Sequence, residues 1–174
     1  MPVISSTDQS EGGGALARLF SFPDPVNEVS ARVVAAGVVV MCLAAIAFDA
    51  PWLTGVIAYG FVARVLTGPT LSPLGQLATR VVTPLLRVRP KLVPGPPKRF
   101  AQGMGAVIAV SAAVLDLGFD QRGLANVLLG LMVFAATLEA AFAICAGCTI
   151  FAGLMRAGVI PESVCARCFD LAAR

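Results

Sequence analysis

The chain has no histidine among its 174 residues. It can therefore build no histidine-ligated metal site, no histidine general base and no Ser-His-Asp triad. Charge is scarce as well: Asp, Glu, Lys and Arg make up 13% of the chain, where a soluble domain carries about a quarter. There is one Trp and one Tyr. Residues 1–26 are polar and Gly-rich and lack the apolar core a signal peptide needs. No phosphate loop, dinucleotide fingerprint or nucleophile elbow occurs anywhere in the chain.

What the chain has is apolar length. Hydrophobic residues make up 57%, and the mean hydropathy is +0.85. About 20 apolar residues at 1.5 Å each cross a hydrocarbon core of about 30 Å. Four stretches approach that length. Spans are expected over 32–48, 51–67, 100–117 and 124–144, inside one membrane domain at 27–160, with a flexible tail at 1–26 and a cap at 161–174. Asp49-Ala50-Pro51 forms the first tight turn, and Pro51 suits a first helical position. The third span is rich in Gly, Ala and Ser, which lets helix backbones approach closely.

Residues 68–99 are the long connection. They hold seven of the twelve prolines and no acid. They also hold Arg80, Arg87, Arg89, Lys91, Lys98 and Arg99, expected at lipid headgroups. Beside a membrane this basic run reads as headgroup contact and not as a nucleic-acid surface. Ser72 can cap a helix that Pro73 opens, and Leu74, Leu77, Val81 and Leu85 follow a helical spacing. That helix is expected to lie in the membrane plane, kinked or ended by Pro84. The two opposite turns carry only Arg122, so basic-residue placement makes the connection and both termini cytoplasmic.

Residues 31–49 (ARVVAAGVVVMCLAAIAFD) and 101–120 (AQGMGAVIAVSAAVLDLGFD) both end in Phe-Asp before a turn and a second span. Tandem hairpins in the same orientation explain the likeness. Chance similarity in apolar sequence explains it equally.

Chemistry concentrates in the last third. Cys145-Ala-Gly-Cys148 is followed, after sixteen residues, by Cys165-Ala-Arg-Cys168. That spacing falls within the four-thiolate zinc pattern, and an iron–sulfur cluster could use the same donors. A dithiol can alternatively cycle between thiol and disulfide, or carry a persulfide. The first pair is expected at the C-terminal end of the fourth helix, where the dipole does not lower a thiol pKa. The two pairs converge only if that helix ends soon after Gly147. Cys42, alone in mid-span, reads as packing. Glu139 is the ionisable residue deep in a span, roughly 8 Å inside the edge. Its expected partners are Arg64 and Gln102, either as a structural pair or as part of a functional site.

The segments Gly68-Pro69-x2-Ser72-Pro73, Arg99-Phe100-Ala101-Gln102-Gly103 and Cys145-Ala-Gly-Cys148 resemble the bacterial membrane proteins labelled domain of unknown function 4395. The likeness runs from about Asn27 to Cys168. It implies a small four-span inner-membrane protein, with no assigned reaction and no catalytic residue to carry over. Members of that family look associated with thioredoxin-like or sulfurtransferase proteins.

The expected fold is thus an all-α integral membrane protein with four transmembrane helices. A surface helix lies in the central connection and a short cysteine-bearing helix at the C-terminus. The first functional reading is an inner-membrane thiol protein that exchanges electrons or sulfur with a cytosolic thioredoxin-like or sulfurtransferase partner, through Cys145 and Cys148. The alternative is a non-catalytic scaffold whose cap is tied by zinc on Cys145, Cys148, Cys165 and Cys168. A small-solute channel or carrier using Glu139 is the third.

Overall fold

A computed structural model of the chain describes residues 24–88, 91–161 and 164–165. Arg89, Cys168, nearly all of the expected N-terminal tail and most of the expected C-terminal cap lie outside those residues.

The described chain is mostly helical, with one two-stranded element. Helix α1 (Glu28–Ala47) is capped by Asn27, whose Oδ1 accepts from the Val29 N–H at 3.0 Å. A turn at Asp49 leads into α2 (Pro51–Thr67), opened by its proline. Helix α3 (Pro73–Leu77) is capped by Ser72 and continues through a π-helical stretch (Ala78–Val82) into α4 (Thr83–Leu85). Pro84 has no N–H to give, and its ring would clash with the carbonyl four residues back. The wider π turn directly before it relieves that crowding, and the helix ends within two residues. Helix α5 (Gly95–Ala113) runs on through a second π-helical stretch to Gly118. Helix α6 (Arg122–Phe142) and α7 (Ala146–Arg156) complete the bundle.

Three of these helices, Glu28–Ala47, Gly95–Gly118 and Arg122–Phe142, are long and apolar enough to cross a membrane, and Pro51–Thr67 is a shorter apolar helix. Their outward faces carry Val40, Val107, Val127 and Phe134, all exposed. Helices apolar all round suit lipid contact. The inward seam is built from small side chains, with Cys42, Ala109, Ala112 and Ala125 fully buried beside Leu129. α1 packs chiefly along α6, and α2 along α5. Cys42 is free and sits in this core, as its mid-span position suggests.

Each end of the bundle is tied by polar contacts. At one end Arg122 bonds Asp49 and Asp120, joining the two hairpin turns, and the Thr54 hydroxyl donates to Asp116 Oδ2 at 2.8 Å. At the other end β1 (Val26–Asn27) pairs antiparallel with β2 (Leu92–Val93), a strand pair the helical periodicity does not announce. Lys91 meets Glu28 at 2.8 Å there, and Ser30 shares a 3.0 Å hydrogen bond with Thr83. The extended backbone of β2 gives way to helix directly after Pro94. α5 begins at Gly95, five residues earlier than periodicity suggests, and so takes Lys98 and Arg99 into a helix.

Gly105 shows how closely α2 and α5 approach. A Cβ built there would lie 2.3 Å from Phe61 Cε1 on α2, whereas Gly103 on the same helix has nothing within 4 Å. Gly105→Ala should therefore lower stability by about 1–3 kcal/mol through overpacking. Gly103→Ala should be neutral or gain about 0.5–1 kcal/mol from helix propensity. Thermal unfolding of the two variants in detergent checks the contrast; equal midpoints would contradict it.

Candidate functional site: a dithiol and a buried charge cluster at a helix break

The fourth long helix does not carry the first cysteine pair, as the sequence suggests. It stops at Phe142. Ala143 turns left-handed at φ 58°, and α7 starts afresh after Cys145. The break is stabilised from α1. Arg32 donates from Nε and Nη2 to the Ala140 carbonyl at 3.0 and 2.9 Å, and from Nη2 to the Ala141 carbonyl at 3.1 Å. A cation on the last carbonyls of a helix satisfies orphan acceptors and opposes the dipole. Arg32 looks in sequence like an ordinary end-of-span cation, and its partners are 108 and 109 residues away. No local signal could have found it.

The consequence is a reversal of polarity at the thiols. Cys145 is the N-cap of α7 and Cys148 lies in its first turn. Both therefore sit at a helix N-terminus, not a C-terminus, and the dipole there favours negative charge. Gly147 brings α7 onto α5: a Cβ at Gly147 would lie 2.5 Å from Ala101 Cα. Both thiols are free, Cys145 buried and Cys148 half-buried. The Cys148 thiol donates to Cys145 and holds it below the ordinary thiol value. The Lys98 charge helps, while burial and the Glu139 carboxylate oppose. The donor, Cys148, is held well above its ordinary value by that same hydrogen bond and then by burial.

The sequence reading puts Lys98 among the headgroup cations. It is instead 8% exposed, with Nζ 2.5 Å from Glu139 Oε1. The early start of α5 turns this lysine inward. Glu139 thus has an ion-pair partner, and it is Lys98 in place of the expected Arg64 or Gln102. Those two nonetheless share a cavity of about 110 Å³ with Glu139 and Cys145. Arg64 is 5% exposed and its guanidinium stacks on Phe61, 4.3 Å from the ring centroid. Among the described residues, Arg64 Nε and Nη1 and Gln102 Oε1 have no hydrogen-bond partner. Arg80, Arg87, Lys91 and Arg99 are exposed.

Cys165, the described member of the second cysteine pair, does not line this cavity. Cys165 is disulfide-bonded and buried against Phe151 and Met155, on later turns of α7. Among the described residues no group of three or more His, Cys, Asp and Glu is placed to hold a metal.

Fold and site together define a mostly helical protein with apolar helices of membrane-spanning length and a free dithiol where one of them ends. A family model described as Domain of unknown function (DUF4395) matches residues 26–156, and the chain belongs to that family. No curated protein and no solved structure matches the chain.

Lys98 and Glu139 stand or fall together. Glu139→Leu leaves a buried ammonium without its partner and should cost about 3 kcal/mol. The double change Lys98→Met with Glu139→Leu should recover most of that, because an apolar pair needs no desolvation. Unfolding midpoints of the two single variants and the double variant form the cycle. Additive losses would show that the pair contributes nothing.

Proposed function

We propose that this chain is a four-span inner-membrane protein that exchanges electrons or sulfur with a cytosolic partner through the Cys145–Cys148 dithiol. The observation that carries the reading is the helix break. It sets a free, hydrogen-bonded CxxC pair at a helix N-terminus beside the Lys98 ammonium, the setting in which thiols become reactive. In the exchange the Cys145 thiolate attacks a sulfur of the partner, and the leaving sulfur departs with the electron pair. From a disulfide partner this gives a mixed disulfide on Cys145. Attack by Cys148 on the Cys145 sulfur then releases the partner as a thiolate and closes the Cys145–Cys148 disulfide, so two electrons pass to the partner. A persulfide partner would instead leave its outer sulfur on Cys145.

The way the helix ends meet supports four crossings. β1–β2 pairing holds the starts of α1 and α5 together, and Arg122 holds the two turns together. A chain that crosses in α1 and starts α5 on the original side must return in α2. Seventeen residues supply about 25 Å of rise, enough for a thinned core. Basic residues crowd residues 68–99, which supports a cytoplasmic placement for the connection, both termini and the dithiol. A reporter fused after Arg174 should be active in its cytoplasmic form; activity only in its periplasmic form would invert the arrangement.

Thiol reactivity gives the direct test. Alkylation of Cys145 should half-rise at a pH below the ordinary thiol value of about 8.5. Below that half-point the thiolate fraction falls tenfold per pH unit. Cys148→Ala and Lys98→Met should each move the half-point up, because one removes the hydrogen bond to the thiolate and the other removes a nearby positive charge. Cys148→Ala should also trap a mixed disulfide on Cys145. A half-point at or above the ordinary value, unmoved by either change, would sink the thiol reading.

A further inference from the structure

The dithiol reading leaves one feature unused, the buried Arg64. A guanidinium 5% exposed, with Nε and Nη1 unpartnered, is an expensive arrangement inside an apolar bundle. Its ring neighbour Phe61 takes one face of the guanidinium and leaves the N–H edge open. Arg64 lines the cavity of about 110 Å³ together with Gln102, Glu139 and Cys145, and with Ala146 and Gly147 of the first turn of α7. The N–H groups of that first turn have no partner within their helix. Arg64 and Gln102 also line an adjoining cavity of about 210 Å³, which reaches Asn27, Pro69 and Thr79 on the side of the basic connection.

The charge balance of this cluster is one acid against two cations. Glu139 bonds Lys98 at 2.5 Å, and its field also reaches Arg64. That acid is already used by the lysine, so among the described residues Arg64 forms no ion pair of its own. Unpartnered N–H donors and a helix N-terminus converge on one cavity. Gln102 adds an amide that offers either its oxygen or, turned over, its N–H.

We propose that this cavity is a site for a small oxyanion, held by Arg64, and that the anion is one carrying a transferable sulfur, of the thiosulfate class. The oxyanion part of the assignment stands on Arg64 and the cavity. The sulfur part rests on the thiol reading above. Cys145 lines the same space, so an anion gripped by Arg64 and the α7 N-terminus places its outer sulfur toward the thiol. In the transfer the Cys145 thiolate attacks that outer sulfur. A Cys145–sulfur bond forms, the sulfur–sulfur bond of the anion breaks, and sulfite leaves with the bonding pair. The products are a Cys145 persulfide anion and sulfite, with total charge unchanged and no external oxidant needed. The adjoining cavity gives the anion its way in, past Lys98 and Gln102.

The test uses the full chain in detergent or nanodiscs, titrated calorimetrically with thiosulfate and, separately, with sulfate. Thiosulfate should bind saturably, and sulfate should compete with it. Arg64→Gln should weaken both by more than about tenfold, while Cys145→Ser should leave both bindings in place. Should Arg64→Gln fail to fold, Arg64→Lys and Gln102→Ala, each checked by its unfolding midpoint, serve instead, and each should weaken binding. Mass spectrometry after thiosulfate treatment should find one added sulfur on Cys145 in the wild type and none in Cys145→Ser. A chain with a reactive low-pKa Cys145 that binds neither anion overturns this inference and leaves the thiol reading standing. Binding that survives intact in every folded Arg64 and Gln102 variant also overturns it. Arg64-dependent binding of both anions with no sulfur gained by Cys145 overturns the sulfur-donor assignment.

Discussion

A helix in an apolar surround can end only where something takes up its last carbonyls, because an unsatisfied backbone group there costs several kcal/mol. The end of α6 is where this protein meets that constraint. Arg32 reaches across from α1 to the Ala140 and Ala141 carbonyls, the Ala143 N–H donates to the Glu139 carbonyl, and the left-handed turn at Ala143 brings the Ile144 N–H back to the Leu138 carbonyl. With those acceptors satisfied, the chain can restart as α7 within three residues. The thiols then change from the tail of one helix to the head of another, and their electrostatics change sign with them. Gly147 lets the new helix lie against Ala101. The chemistry available to Cys145 is therefore decided by an arginine in another hairpin.

The same end of the bundle gathers its charges inward. Lys98 could have snorkelled to headgroups had α5 started at Phe100. Starting at Gly95, the helix turns Lys98 onto Glu139 one turn before the break. That choice neutralises Glu139 and strips Arg64 of its nearest acid. A buried pair gives weak evidence for stability, since apolar replacements often serve as well.

Much of this was legible beforehand, for a physical reason. Helix existence depends on apolar length, which any 18-residue window carries, so α1, α2, α5 and α6 are all visible in the sequence. The Ser72 cap, the opening prolines and the polar turn at Asp49 are local devices and appear where local reasoning puts them. Glu139 and Cys145 stand out because polar and thiol groups are rare in such a chain. What the sequence concealed was long-range. Apolar side chains continue without pause from Ala140 to Ile144, so nothing local marks the break that Arg32 stabilises. The inward turn of Lys98 depended on a helix start hidden among Gly95, Pro96 and Pro97, where prolines read as loop although they also suit a first helical turn.

The two hairpins sharpen the argument about the site, because they share more than a Phe-Asp pair. Asp49 and Asp120 both take a left-handed conformation, at φ 48° and 52°. Both second helices end on a residue of positive φ, Gly68 at 62° and Ala143 at 58°. After each, a new helix starts behind an extended N-cap, Ser72 in one half and Cys145 in the other. Helical propensity alone has no reason to repeat four such features, and a tandem duplication does. The halves then differ where chemistry would want them to. Ser72 is fully buried and its oxygen takes the Gly75 N–H at 3.2 Å, which closes that helix start. Cys145 accepts no cap hydrogen bond of normal geometry, so a thiol stands where the other half has its closed cap. One half keeps the cap that stabilises a helix. The other gives it up, at a cost of about 1 kcal/mol, and in its place has a free thiol that shares a cavity with Arg64.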